Sequence, residues 1–231
     1  MLDLSPISRP TVDVFEGHTG VLVKRWGANL FAMPQRLTID DHDNVWMTDV
    51  ALQQVYKYSS SVRLLLTLGE RGVAGADAGH SNRPTAVAVA RDGAFYVSDG
   101  YKNTRVMKFS ADGTFLFQWG TKGTGPGQFD LPHWVALDAA GHVYVADRGN
   151  RRIQVFDSAG HYLSQWAGNQ IGRPYAIAID GRDTAYLADG GDQPKGPPDR
   201  SAWVLAHLDG IPLLAWADSA TTTGSLKWRI R

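Results

Sequence analysis

The stretch from Leu131 to Gly168 decides the fold: LPHWVALDAAGHVYVADRGNRRIQVFDSAGHYLSQWAG. Its opening Leu-Pro leads into a short apolar run at Trp134–Leu137, which ends in a turn at Ala140-Gly141. Three further short runs follow, VYVAD, RIQVF and YLSQW. Runs of this length, separated by turns that contain glycine, are typical of strands joined by hairpins. The stretch therefore predicts four short strands.

The same pattern occurs three more times, in MPQRLTIDDHDNVWMTDVALQQVYKY, RPTAVAVARDGAFYVSDGYKNTRVMKF and RPYAIAIDGRDTAYLADGG. Two markers repeat with it, namely the prolines Pro34, Pro84, Pro132 and Pro174 and the aspartates Asp49, Asp99, Asp147 and Asp189. Both series are separated by 50, 48 and 42 residues. A period of this length with four strands in each unit is typical of β-propeller blades, because one small sheet cannot bury both of its faces alone. We therefore predict an all-β fold, a β-propeller of four-stranded blades.

Residues 1–231 are predicted to form a single propeller domain. Residues 1–10 form an irregular lead-in, and Val12–Trp26 has the pattern of the last two strands of a blade. Blades then begin near Met33, Arg83, Leu131 and Arg173. This count gives about four blades plus a leading half, which is low for a closed propeller. Either the ring is small, or blades are missing at the two ends and the sheet edges stand open.

The connections between the blades are rich in glycine. Gly69–Asn82 and Gly120–Asp130 are predicted to contain no strands, and the insertion Gly190–Arg200 is predicted to lie outside the blade pattern. Residues 217–231 lack a proline at a blade start and a second strand signal, so they are predicted to form an irregular tail. In the predicted strand VYVAD at 143–147, residues Val143, Val145 and Asp147 lie on one side and Tyr144 and Ala146 on the other, as expected for a half-buried strand.

Composition limits the partners and the compartment. The chain has 231 residues with 23 basic and 23 acidic side chains and no cysteine. This balance gives no electrostatic reason to expect nucleic acid or an anionic membrane as a partner, and the lack of cysteine excludes disulfides and thiolate metal sites. Residues 1–10 lack the basic start and apolar centre of a signal peptide. The expected location is cytoplasmic, or secreted or periplasmic if the natural chain begins further upstream.

Three phrases carry a resemblance to a known family: DDHDNVWMTDVALQQVYKY (Asp40–Tyr58), RPTAVAVARDGAFYVSDGYKNTRVMKFSADG (Arg83–Gly113) and PGQFDLPHWVALDAAGHVYVADRGNRRIQVF (Pro126–Phe156). They resemble NHL repeats and, within that family, the peptidyl-α-hydroxyglycine α-amidating lyases, over roughly Val12 to Asp189. The resemblance implies a six-bladed propeller with a zinc ion at the mouth of its central channel. It also implies cleavage of a peptidyl-α-hydroxyglycine to a peptide amide and glyoxylate.

The resemblance also implies roles for individual residues. His133, in LPH, falls at a zinc-ligand position, and Gln35, in MPQRL, falls at a second ligand position where the family has histidine. Tyr101, in SDGYKNTR, falls at the position of the catalytic base, and Arg148, in VADR, at that of a substrate-binding arginine. The backbone carbonyl of Leu37 falls at a ligand position of a structural calcium ion. The implied partner is a small hydroxylated amide or the C-terminus of a peptide.

The same residues also have simpler interpretations. His133 follows a blade-start proline, where the other blades carry Gln35, Thr85 and Tyr175, so many side chains occur at this position. Tyr101 could be an aromatic residue in a turn, and the three arginines Arg148, Arg151 and Arg152 could form a solvated basic cluster. His80 could replace a zinc ligand or could hydrogen-bond within its own loop.

Two functions remain open on the sequence alone. The chain could be a zinc-dependent carbon–nitrogen lyase, although glutamine is a poor replacement for imidazole on zinc. Alternatively, it could be a non-catalytic NHL propeller that binds a protein or peptide. In either case, an open propeller would expose strand edges and an apolar blade face, which predicts self-association or a partner chain that completes the ring.

Overall fold

The computed structural model describes residues 2–168, 171–182 and 184–190, together with the backbone of two further strands at 200–207 and 212–219. Within these residues the chain forms twenty β-strands and no helix. Accordingly, the described part of the chain contains no helix that is long and apolar enough to cross a membrane.

Most of the strands belong to four-stranded antiparallel sheets. The chain begins with a two-stranded sheet, the leading hairpin, formed by β1 (Val12–Phe15) and β2 (Leu22–Trp26). Blade 1 consists of β3 (Pro34–Ile39), β4 (Val45–Asp49), β5 (Gln54–Tyr58) and β6 (Leu64–Leu68). Blade 2 consists of β7 (Ala86–Val89), β8 (Phe95–Asp99), β9 (Arg105–Phe109) and β10 (Phe115–Trp119).

A small parallel sheet of β11 (Thr121–Lys122) and β12 (Gln128–Phe129) precedes blade 3. Blade 3 consists of β13 (Pro132–Leu137), β14 (Val143–Asp147), β15 (Arg152–Phe156) and β16 (Tyr162–Ala167). Blade 4 consists of β17 (Pro174–Ile179), β18 (Thr184–Asp189), β19 (Arg200–His207) and β20 (Pro212–Ser219). The predicted all-β propeller of four-stranded blades is confirmed, and the leading half-blade is present as the leading hairpin.

The core lies between the blades. Trp26 of the leading hairpin packs with Phe31 and Tyr58 against blade 1, and Trp46 of blade 1 packs against Phe95 of blade 2. Similar apolar clusters join blade 2 to blade 3 and blade 3 to blade 4. Because both faces of blade 3 are covered, all five residues of β14 are buried. The expectation of a half-buried strand there was wrong for this reason.

The repeated aspartates lie at the ends of the second strands, and their carboxylates accept hydrogen bonds that hold the adjoining loops in place. The carboxylate of Asp49 accepts hydrogen bonds from the backbone N–H groups of Ala32 at 2.8 Å and Leu52 at 2.9 Å. The carboxylate of Asp147 accepts one from Nε of Arg152 at 2.9 Å. Arg152 is therefore a buried structural residue, and the simpler interpretation of the three arginines as a solvated basic cluster does not hold for it.

Two further expectations need correction. The connector Gly120–Asp130 does contain strands, since β11 and β12 pair within it. Strand β20 continues to Ser219, so the predicted tail 217–231 does not begin at residue 217, and residues 220–231 lie outside the described residues. Arg200 of the predicted insertion is the first residue of β19, and residues 191–199 also lie outside the described part of the chain.

The first strands of successive blades lie side by side. Thr38 Oγ1 of β3 donates a hydrogen bond to the carbonyl oxygen of Val87 in β7 at 3.0 Å. Thr85 Oγ1, just before β7, donates to the carbonyl oxygen of Pro132 in β13 at 3.0 Å. This arrangement brings the beginnings of the first strands together.

Candidate functional site

The candidate site is built at the beginnings of the first strands, where each repeat has its proline. The strand register shifts between Pro34 and Arg36 in β3, between Pro132 and Trp134 in β13 and between Pro174 and Ala176 in β17. A β-bulge of this kind re-aims the side chain of the extra residue, and bulges are common next to active sites. The re-aimed residues here are Gln35, His133 and Tyr175.

A chain of hydrogen bonds connects these three residues with Tyr101, which lies between β8 and β9. Gln35 Nε2 donates to the phenol oxygen of Tyr101 at 3.0 Å, and that oxygen lies 3.0 Å from His133 Nε2. His133 Nδ1 lies 2.7 Å from the carbonyl oxygen of Tyr175. The structure thus brings together three of the residues singled out in the sequence, Gln35, Tyr101 and His133.

The partners of His133 fix the positions of its protons. A backbone carbonyl can only accept a hydrogen bond, so His133 Nδ1 carries the proton in that contact. In the neutral imidazole, Nε2 is then the acceptor, and the hydroxyl of Tyr101 donates to it. A hydrogen bond from Nδ1–H to a backbone carbonyl is also the usual means of orienting an imidazole whose Nε2 acts as a base or a ligand.

The surroundings of Tyr101 oppose its ionisation. Burial raises the pKa of Tyr101 above its ordinary value, and its proximity to Tyr175 acts in the same direction. The positive charges of Arg148 and Arg36 lower this pKa but do not offset the effect of burial. Tyr101 therefore keeps its proton at neutral pH.

Two guanidinium groups lie beside the hydrogen-bonded chain. Arg36 Cζ lies 4.4 Å from the ring centroid of Trp134 and 4.5 Å from that of Tyr175. Arg148 Cζ lies 5.1 Å from the ring centroid of Tyr175. Cation–π attraction holds both guanidinium groups near the ring of Tyr175, and each such contact is worth about 0.5–2 kcal/mol. Arg148 is thus close to the chain of hydrogen bonds, as its predicted role requires.

The residues of the site differ in their exposure to solvent. His133 has no solvent-exposed surface, and it stacks on Tyr175 with 4.2 Å between the ring centroids. Gln35, Tyr101 and Arg148 are half-buried. A ligand can therefore contact the exposed parts of Gln35, Tyr101 and Arg148, whereas His133 is not accessible to it.

The described residues do not fit a zinc ion. A catalytic zinc site uses three protein ligands and leaves one position for water or substrate. No group of three or more His, Cys, Asp or Glu residues in the described part of the chain could hold a metal ion. His133 supplies one imidazole, Gln35 supplies an amide in place of the second, and the positively charged Arg36 lies next to Gln35.

The same test applies to calcium, which takes six to eight oxygen ligands. Leu37 lies in β3 opposite Met47, two residues beyond Gln35. The described residues include no cluster of carboxylates that could complete a site around its carbonyl. His80, the other candidate ligand, lies in its own loop with Nδ1 2.9 Å from a carboxylate oxygen of Asp77.

Sequence reasoning missed Arg36 and Tyr175 as parts of the site. The signal for Arg36 lies in the repeat itself, because the equivalent residues of the other blades are Ala86, Trp134 and Ala176. An arginine where the other first strands carry alanine or tryptophan is a departure that the alignment of the repeats makes visible.

Comparison with known proteins agrees with this architecture. The family described as NHL repeat matches residues 129–156, which include most of blade 3. A chain from a nidogen/laminin complex superimposes with a TM-score of 0.69 at 17% sequence identity, covering 92% of this chain and 73% of that one. At this level of identity, the likeness concerns the fold alone.

Two curated relatives are more similar in sequence. Peptidyl-glycine alpha-amidating monooxygenase B of Xenopus laevis is 39% identical over 196 residues, which cover 81% of this chain and 22% of that protein. Peptidyl-alpha-hydroxyglycine alpha-amidating lyase 2 of Drosophila melanogaster is 35% identical over 203 residues, covering 82% of this chain and 48% of that protein. The chain thus spans less than half the length of each of these relatives. It is an NHL-repeat β-propeller protein that resembles, over most of its length, the peptidyl-α-hydroxyglycine α-amidating lyases.

Proposed function

We propose that this chain acts on the C-terminal α-hydroxyglycine of a peptide or a small hydroxylated amide, releasing the amide and glyoxylate. The observation that carries this proposal is the chain of hydrogen bonds from Gln35 through Tyr101 to His133 beside the guanidinium of Arg148. This series of hydrogen bonds ends at Nε2 of His133, which can accept a proton, and the positively charged Arg148 lies next to the series. These are the two groups that a substrate with a hydroxyl and a carboxylate requires.

The reaction needs one proton to leave and one to return. As the proton of the substrate hydroxyl moves to the oxygen of Tyr101, the proton of Tyr101 moves to His133 Nε2. The C–O bond becomes C=O, the C–N bond breaks, and its electron pair goes to the amide nitrogen. The proton held by His133 then returns through Tyr101 to that nitrogen. Proton transfer by a positioned side chain contributes about 10²–10⁴-fold to a rate.

In this proposal Tyr101 passes a proton on to His133, whereas the resemblance implies that Tyr101 is itself the catalytic base. Because burial raises the pKa of Tyr101, its hydroxyl is a relay that requires His133 as the final acceptor. The proposed steps use this chain's own side chains, since the described residues do not fit zinc. Arg148 would attract the anionic end of the substrate to the site, with the substrate hydroxyl toward Tyr101.

The test is release of benzamide and glyoxylate from benzoyl-α-hydroxyglycine, with the spontaneous rate subtracted. We expect turnover by the native chain and a loss of about 10²-fold or more in Tyr101→Phe, which keeps the ring and removes the hydroxyl. Tyr162→Phe, at an exposed tyrosine of β16, is the matched control and should leave the rate unchanged. Equal rates for Tyr101→Phe and the native chain would contradict the relay.

The second candidate is a non-catalytic propeller that binds a peptide terminus. The presence of Gln35 where the resemblance expects histidine favours it, because only one imidazole, that of His133, takes part in the hydrogen-bonded chain. Measurable binding of benzoyl-α-hydroxyglycine without release of benzamide would select this function over the first.

A further inference from the structure

Arg36 is a cation whose position is fixed by residues from three blades. It lies in β3 of blade 1, Trp134 lies in β13 of blade 3 and Tyr175 lies in β17 of blade 4. The ring centroids of Trp134 and Tyr175 lie 4.4 and 4.5 Å from its Cζ atom. A guanidinium group stacked on aromatic rings can form hydrogen bonds only in its own plane.

Part of the hydrogen-bonding capacity of Arg36 is unused. Its Nε and Nη2 atoms are buried and have no hydrogen-bond partner within the described residues. The ion pairs within that part of the chain involve other basic residues, such as Arg105 with Asp99 and Arg152 with Asp147, and none of them joins Arg36 to a carboxylate. Buried charges in proteins are normally paired, because an unpaired one is costly.

The neighbouring charges make an anion more favourable still. Arg148 lies by the same tyrosine ring as Arg36, with its Cζ 5.1 Å from the ring centroid. Burial lowers the pKa of Arg36, and the positive charge of Arg148 acts in the same direction, whereas Tyr175 and Tyr101 oppose it. A bound anion would offset both the burial and the repulsion between the two cations.

We propose that Arg36 is the specificity-determining residue of the site and binds the carboxylate of the ligand through its in-plane N–H groups. This inference rests on the proposed function, since it names the chemical group by which a C-terminal hydroxyglycine is distinguished from an amide. Arg36 and Tyr101 are close enough that each shifts the pKa of the other, so a carboxylate bound to Arg36 would bring the adjoining carbon toward Tyr101. The other blades have Ala86, Trp134 and Ala176 at this position, so the charge is specific to blade 1.

The test is calorimetric titration with two ligands that cannot react, benzoylglycine and its neutral carboxamide. We expect the native chain to bind the carboxylate at least tenfold more tightly than the carboxamide. Arg36→Met, which keeps most of the side-chain volume and removes the charge, should lower carboxylate affinity about 10- to 100-fold and leave carboxamide affinity unchanged. Arg36→Lys should give an intermediate value, because lysine keeps the charge and loses the planar group.

The matched control is Arg63→Met, at an exposed arginine in the turn between β5 and β6, which should leave both affinities unchanged. The inference is overturned if the native chain shows no preference for the carboxylate, or if Arg36→Met lowers both affinities equally. Failure of the proposed lyase function is a separate result. An Arg36-dependent preference for benzoylglycine without release of benzamide from benzoyl-α-hydroxyglycine would contradict the lyase alone.

Discussion

Gln35 is the residue at which this site departs most clearly from a metal centre. Its amide nitrogen lies 3.0 Å from the hydroxyl of Tyr101, which in turn lies 3.0 Å from His133 Nε2. The side chains at positions 35 and 133 therefore approach the same phenol oxygen from two blades. An amide on one side and an imidazole on the other suit a hydrogen-bonded chain better than a zinc ion, which prefers nitrogen and sulfur ligands.

Replacing Gln35 by histidine tests whether the geometry still suits a metal. We expect Gln35→His to raise zinc affinity at least tenfold, because a second imidazole then faces His133 across the site. Zinc retained after dialysis against a graded series of chelator concentrations measures the change. The gain must disappear when Gln35→His is combined with His133→Ala. Unchanged zinc retention in the single variant would show that positions 35 and 133 do not form two sides of one site.

At the scale of the element, the turn between β8 and β9 determines where Tyr101 lies. Gly100 precedes Tyr101, and a Cβ atom at Gly100 would overlap the carbonyl oxygen of Pro132 in β13. That oxygen also accepts the hydrogen bond from Thr85 Oγ1 at 3.0 Å. The close approach of the turn to β13 is thus what brings the hydroxyl of Tyr101 to His133.

Gly100→Ala should therefore affect both stability and the site. Steric overlap with backbone costs about 1–3 kcal/mol of unfolding free energy, and we also expect reduced benzamide release, because the turn must move away from β13. Gly17→Ala is the matched control, since a Cβ atom at Gly17 meets nothing within 4 Å, and it should change stability by no more than about 0.5 kcal/mol. Thermal denaturation measures the difference. A Gly100→Ala chain as stable as the Gly17→Ala chain would contradict this account.

The strands could be predicted from the sequence because their signals are local. The period of two within each strand, the glycine turns and the repeated proline and aspartate all lie within one blade. The sheet of β11 and β12 could not be predicted in this way. It depends on Arg152, whose guanidinium donates hydrogen bonds to the carbonyl oxygens of Thr124 at 2.6 Å and Gln128 at 2.7 Å, and both lie far from Arg152 in sequence.

The candidate site likewise contains residues that the sequence indicates and one that it does not. The placement of Gln35 and His133 at equivalent positions of two repeats indicates that they approach a common axis, and the structure brings them to the same tyrosine. Arg36 carries no such indication on its own, because a single arginine in a strand is usually solvent-exposed. Its place between Trp134 and Tyr175 arises only when blades 1, 3 and 4 meet.

At the scale of the whole molecule, the leading hairpin exposes several large apolar side chains. Val21, directly before β2, and Val23, within it, are 59% and 60% exposed, and Phe15 of β1 is 57% exposed. Side chains two residues apart in a strand lie on the same face. The two valines therefore form one apolar patch on a face of the hairpin. A two-stranded sheet with such a face presents both unpaired backbone groups and apolar area to a partner.

We expect the leading hairpin to make the isolated chain associate with itself. The average mass measured by sedimentation equilibrium should then rise with protein concentration. The double variant Val21→Lys/Val23→Lys should remain monomeric over the same range, because two charges then oppose pairing of the hairpin with a second copy. Leu116→Lys, at a 48% exposed residue of β10, places a charge on a different blade and should leave the association unchanged. If the unaltered chain is monomeric at every concentration, the apolar hairpin does not drive self-association. If Leu116→Lys abolishes association as fully as the double variant, the interface does not lie at the hairpin.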